Sequence, residues 1–206
     1  MKKVFTSVLV AASLVSSLSA MAESAGDAEA GKAKSAICAG CHGVDGNSVM
    51  AIFPKLAGLG TKYLVKQMQD IKSGARNVVE MTGLLAASSD QDINDLAAYY
   101  QSQKVTIGQA KKELIEQGEA LYRVGNPATN VAACTACHGP AGLGVDLASF
   151  PALAGQQADY LAAQLKKFRS GERTNDGDTR MMRSVAARLT DKEIESVSSY
   201  LSGLRP

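Results

Sequence analysis

Apolar side chains along this chain recur at helical spacing. In "TKYLVKQMQDIKSG" (residues 61–74), Leu64, Met68 and Ile71 fall at i, i+4 and i+7, with Thr61 placed to cap the start and Gly74 to close the end. Leu161, Leu165 and Phe168 repeat that spacing in a second stretch that ends at Gly171. In "SDQDINDLAAYYQS" (residues 89–102), Ile93, Leu96, Ala97 and Tyr100 share one face behind a candidate cap, Ser89. Its counterpart opens "TDKEIESV", where Thr190 and Glu193 form a capping box, each side chain answering the other's unpaired backbone N–H. No convincing period-two alternation breaks the pattern, so the fold class expected is all-α.

The helical stretches come in pairs because the chain repeats itself. Cys38, Cys41, His42, Gly43 and Gly46 recur 96 positions on as Cys134, Cys137, His138, Gly139 and Gly142. "FPKLAG" (53–58) recurs as "FPALAG" (150–155), and Tyr63, Leu64, Gln67, Gly74 and Arg76 recur as Tyr160, Leu161, Gln164, Gly171 and Arg173, all shifted by 97. Asp90, Ile93 and Tyr99 recur as Asp191, Ile194 and Tyr200, shifted by 101. A shift that grows in small steps is what loop insertions produce between two copies of one domain. The polar stretch "KVTIGQAKK" (104–112) reads as a short connection. The expected organisation is residues 23–106 and 107–206, each with an early helix running into a cysteine motif, a middle helix and a late helix.

The first 22 residues stand apart. Lys2 and Lys3 precede "VFTSVLVAASLVSSLSA" and then "AMA" (20–22), a charged start, a short apolar run and small residues at a cleavage position. This is the pattern of a secretory signal peptide, with cleavage expected after Ala22 and the periplasm as destination. A membrane anchor is the alternative, disfavoured because the stretch is short and broken by serines. Of the 22 basic and 20 acidic residues, the leader holds only Lys2 and Lys3, so the mature chain is balanced. No basic stripe marks a nucleic-acid partner.

The four cysteines and two histidines of the chain all lie in two Cys-x-x-Cys-His motifs. A zinc reading needs eight ligands for two sites and finds six, with adjacent Cys and His poorly disposed to meet on one tetrahedral ion. A redox disulfide expects a βαβ setting that the pattern lacks. Covalent haem c uses every residue: the two cysteines add to the vinyl groups as thioethers, and the next residue, His, reaches the iron. Cys38, Cys41 and His42 are thus assigned to one haem, and Cys134, Cys137 and His138 to another. Trp is absent and aromatics are few. A flat apolar group in each domain would supply burial that side chains do not, so the haem-free chain is expected to fold poorly.

With both histidines used, a sixth ligand must be Met, Lys, Tyr or an open site. Beyond the first cysteine motif lie Met50, Met68, Met81, Met181 and Met182. Met68 pairs with Leu165 on an apolar helix face, Met50 with Asp146 or Leu147, and Met181 with Glu80; only Met81 and Met182 pair with each other. These two are the expected iron ligands. Metal-bound imidazoles normally donate their other N–H to a fixed acceptor, and the carbonyls of Pro54 and Pro151 are the candidates. Arg76 and Arg173 are placed either to pair with haem propionates or to lie solvated.

The order of these residues resembles class I cytochromes c, and the doubled arrangement resembles the dihaem cytochrome c4 family over residues 27–206. "AGDAEAGKAKSAICAGCHG", "QMQDIKSG", "TNDGDTRMMRS" and "SSYLSGL" carry the likeness. The resemblance implies two haem domains facing each other about a pseudo-twofold axis, His/Met ligation of both irons, and early helices crossing late helices at Gly31 against Tyr99 and Gly118 against Tyr200. About nine extra residues before the second motif, near "RVGNPATNV", depart from the first copy. The implied role is that of a monomeric electron carrier, not an enzyme, between quinol–cytochrome c reductase and a terminal oxidase, with loose membrane association an open alternative. The rivals are an electron-transfer subunit of a dehydrogenase and a dihaem peroxidase-type enzyme. A peroxidase needs an iron whose sixth position opens, and a thiosulfate dehydrogenase needs a further cysteine that this chain lacks.

Overall fold

The computed structural model describes residues 25–206, so the expected leader and its cleavage point lie outside the described residues. Nine α-helices follow one another in this span: α1 (Ala28–Lys34), α2 (Ala36–His42), α3 (Thr61–Ser73), α4 (Asp90–Ser102), α5 (Ile115–Val124), α6 (Thr135–His138), α7 (Ala158–Ser170), α8 (Met181–Ala186) and α9 (Asp191–Gly203). Among the described residues β pairing is limited to two isolated bridges, Asn126 with Val131 and Val145 with Phe150. The chain is therefore all-α. The middle helices α3 and α7 have equal length and sit 97 residues apart, and the late helices α4 and α9 sit 101 apart.

The same physics starts both late helices. Ser89 and Thr190 each accept from the backbone N–H of the third residue on, and Asp92 and Glu193 return a bond to the cap's own N–H, so both are closed capping boxes. Gly74 and Gly171 end α3 and α7 in the left-handed conformation.

Each early helix packs on the late helix of its own half, α1 on α4 and α5 on α9. The crossing is too close for a side chain. A Cβ at Gly31 would sit 1.9 Å from the Asp95 carbonyl oxygen and 2.9 Å from Tyr99 Cβ; at Gly118 it would sit 2.3 Å from Ser196 O and 2.6 Å from Tyr200 Cβ. Around each crossing a core forms. The first gathers Leu59, Leu64, Leu96, Ala97, Tyr99 and Tyr100, with Cys38 against it; the second gathers Leu121, Tyr122, Leu161, Ile194, Val197 and Leu201 among others, with Cys134 against it.

A charged knot fastens the first crossing. Asp95, buried on α4, accepts from Asp27 N–H at 2.9 Å, Lys34 Nζ at 2.6 Å and Gln91 Nε2 at 2.8 Å. These donors, the Asp27 N–H first and then Lys34 and Gln91, hold its carboxyl down at about 2. A carboxyl with a depressed folded pKa stabilises above its unfolded value of about 4 and loses that contribution as pH falls towards the folded value. Asp95→Asn is therefore expected to lower stability at neutral pH and to flatten the loss of stability between about pH 4 and pH 2. Urea midpoints measured across that range check this; parallel acid limbs for the two proteins would contradict it.

The extra residues before the second cysteine motif form a tight turn at Pro127–Thr129. Asn126 donates to Glu193 Oε1 at 2.7 Å, Arg188 donates to Asn130 O at 2.7 Å, and Val131 is buried in the second core. The insertion thus braces the start of α9.

Candidate functional site

Each Cys-x-x-Cys-His motif sits at the end of a short helix. Cys38, Cys41 and His42 lie on α2, and Cys134, Cys137 and His138 on or at the edge of α6. Both helices stop at a glycine of positive φ, Gly43 and Gly139, directly after the histidine. None of the four cysteines pairs with another in a disulfide. Burial pushes the Cys134 thiol up to about 11 and raises Cys38 as well, so neither is a ready thiolate. Among the described residues no three His, Cys, Asp or Glu side chains converge as a metal-binding group.

The histidines are the best-defined part of the arrangement. Both are buried, 7% exposed. His42 Nδ1 lies 2.9 Å from Pro54 O, and His138 Nδ1 lies 2.9 Å from Pro151 O. A carbonyl only accepts, so Nδ1 carries the proton and donates. Burial pushes both imidazoles below the ordinary histidine range, the proline contact pulling partly back, and each ring is neutral. A neutral ring protonated at Nδ1 keeps its Nε2 lone pair free for a metal.

The repeated FPxLAG segment explains that geometry. Phe53 and Phe150 stand beside the two imidazoles with ring centroids 6.3 and 6.4 Å away. The next residue, proline, offers the carbonyl. Leu56 N and Ala57 N then donate to Gly46 O, and Leu153 N and Ala154 N to Gly142 O, tying the segment to its own motif. Gly58 N reaches Tyr100 O and Gly155 N reaches Leu201 O, tying it to the late helix.

Beside the first motif these elements line an open cavity of about 650 Å³, which Tyr160, Gln164 and Arg173 of the second half also wall. Cys38, Cys41, His42, Pro54, Met81 and Tyr100 are among the residues lining it. Met81 closes a 3-10 turn (Val79–Met81) and is half-buried; Met68 on α3 lines the same cavity and packs against the first core. Met50 is exposed at 48%. In the second half Met182 is half-buried in the first turn of α8, whereas its neighbour Met181 is 45% exposed. A neutral imidazole with a free Nε2, two unpaired thiols and an apolar cavity fit a covalently held porphyrin.

Arg76 and Arg173 are not solvated: each reaches across to the other half. Arg76 donates to Gln67 Oε1 at 2.9 Å, Tyr160 OH at 3.1 Å and Gln164 Oε1 at 3.2 Å. Arg173 donates to Gln164 Oε1 at 2.9 Å, Tyr63 OH at 3.3 Å and Gln67 Oε1 at 2.9 Å. The two sets exchange under the 97-residue shift, so the halves meet about a local twofold axis. Two further residues, Gln156 and Asp146, break the symmetry. Gln156 pairs with both the N–H and the carbonyl of Lys55 at 2.8 Å. Asp146 accepts from Lys62 N–H at 3.1 Å, capping α3, whose own N-cap residue, Gly60, has no side chain to do so.

The comparisons with known proteins agree with this geometry. The cytochrome c family model matches residues 28–104 and again 115–205. Cytochrome c4 of Pseudomonas aeruginosa is 55% identical over 197 residues, covering 96% of this chain and 98% of that one. The crystal structure of reduced recombinant cytochrome c4 from Pseudomonas stutzeri superposes with a TM-score of 0.86 at 56% identity, over 88% of this chain and all of that one. A protein of Stutzerimonas stutzeri named thiosulfate dehydrogenase electron acceptor is 40% identical, over 81% of this chain and 78% of its own length.

Proposed function

The chain belongs to the cytochrome c family, in its dihaem cytochrome c4 branch, and from that premise we propose that it works in the periplasm as a monomeric shuttle between quinol–cytochrome c reductase and a terminal oxidase. It carries two covalently bound haem c groups and is an electron carrier. The two haem domains are taken as residues 23–106 and 107–206, with the leader removed after Ala22. When bound, each haem supplies one iron that cycles between Fe(III) and Fe(II).

The protein's part is to hold that iron closed and still. In this reading Cys38, Cys41, Cys134 and Cys137 carry the thioether links. His42 and His138 would hold the iron through Nε2, and Met81 and Met182 would hold it through sulfur. Pro54 and Pro151 fix ring orientation and proton position. Neutral thioether ligation favours Fe(II) and raises the potential, which suits electron delivery to an oxidase. An iron held by both His and Met would offer no place for a substrate, which would separate a carrier from a peroxidase. The observation that carries the reading is the pair of buried, neutral imidazoles, each fastened at Nδ1 to a proline carbonyl 2.9 Å away.

Membranes containing both complexes test the shuttle role. The purified ferric protein should be reduced by quinol through the reductase and reoxidised by the oxidase, passing two electrons per chain. Failure to cycle with either complex would overturn the assignment of partners.

A second reading takes the electrons from a dehydrogenase instead. It is favoured by the relative named as an electron acceptor of thiosulfate dehydrogenase. Rapid reduction by such an enzyme with its substrate, in the absence of reductase, would select it.

A further inference from the structure

Among the described residues two buried side-chain polar atoms have no hydrogen-bond partner, the hydroxyls of Tyr100 and Ser198. A buried phenol left unpaired carries its full desolvation penalty, so its persistence asks for an acceptor. Tyr100 is 2% exposed and lines the 650 Å³ cavity together with Cys38 and His42. Its ring belongs to the core cluster against which Cys38 packs. Ser35 donates its own hydroxyl proton to Lys32 O at 2.8 Å, and no hydrogen bond joins it to the Tyr100 hydroxyl.

The internal repeat makes this tyrosine one-sided. Under the 101-residue shift that superposes α4 on α9, Tyr99 meets Tyr200, but Tyr100 meets Leu201. In the second half the buried tyrosine comes from α5 instead: Tyr122, whose hydroxyl is spent on Gly139 O. Only the first half thus brings a phenol with an uncommitted proton to the cysteine side of its cavity.

We propose that Tyr100 donates a hydrogen bond to the Cys38 sulfur of the N-terminal haem linkage and thereby holds that haem at a higher potential than it would otherwise have, an effect with no counterpart at the C-terminal haem. The proposal rests on the reading of Cys38 as a haem thioether. Alkylation removes the Cys38 proton and leaves a sulfur that only accepts, which fixes the direction of the bond. The positive end of the O–H dipole then points at the macrocycle and favours the state with the extra electron. Hydrogen bonding around the cofactor is one of the levers by which a protein sets haem potential.

The test is a redox titration of the holo-protein followed by NMR, each haem assigned to its half through contacts with Leu64 or Leu161. Tyr100→Phe, which keeps the ring, should lower the N-terminal potential and leave the C-terminal one in place. Tyr100→Leu, the residue found at position 201, should lower it in the same direction, because the hydroxyl carries the effect. An unchanged N-terminal potential in Tyr100→Phe, an equal shift at both haems, or a shift confined to the Leu variant would overturn the proposal; the last would make Tyr100 a packing residue alone. Haem content, two per chain in every variant, reports on the cofactor reading separately.

Discussion

Met81→Ala is expected to remove half of the ferric near-infrared absorption that sulfur-to-iron charge transfer produces, and to leave the other half intact. The same variant, once reduced, should bind one carbon monoxide per chain without denaturant, where the unaltered protein binds none. Met81 lines the same cavity as Cys38 and His42, at the end of a turn outside the helical scaffold. Truncating it removes a side chain that is not part of the first core cluster. Met68 is the control. It lines the same cavity, yet it packs against the first core on α3, and its repeat partner is Leu165. Met68→Leu should leave the spectrum unchanged. If Met81→Ala abolished the whole band, the two sites would not be independent; if Met68→Leu removed half of it, the ligand would be Met68.

Chain secreted without haem attachment is expected to lack a cooperative thermal transition. Four Cys→Ala substitutions, at Cys38, Cys41, Cys134 and Cys137, prepare it. The apolar walls around Cys38, His42 and Leu64 would then collapse or face water, losing the burial that the porphyrin supplies, and the buried His42 and His138 would lose the partner that justifies their burial. Calorimetry and near-ultraviolet circular dichroism should show a broad, weak transition and little fixed aromatic signal. A sharp transition close to the midpoint of the haem-loaded protein would show that side chains alone sustain the fold.

The features most legible in the sequence were those written twice. Whereas the glycines at the helix crossings are implied by the resemblance to class I cytochromes c, the middle and late helices and the two cysteine motifs follow from local pattern plus the internal repeat. So does the interest of Pro54 and Pro151, whose carbonyls prove to lie beside the imidazoles. Arg76 and Arg173 were legible only as recurring charges. That they cross between halves depends on how two domains dock, which no single-domain periodicity reports, although Tyr63, Gln67 and Arg76 recurring as a polar set was the available signal. Asp146 capping α3 from the other half is invisible locally, because Gly60 merely lacks a side chain. Tyr100 looked like one more apolar-face residue; the signal was the break in the repeat opposite Leu201.

Both irons are proposed to be held by imidazole nitrogen and methionine sulfur together. X-ray absorption at the iron edge of the reduced, fully haem-loaded protein reads this directly. One sulfur scatterer per iron is expected, averaged over the two sites, with every remaining neighbour a nitrogen. An iron environment of light atoms alone, or one missing its sixth neighbour, would contradict it.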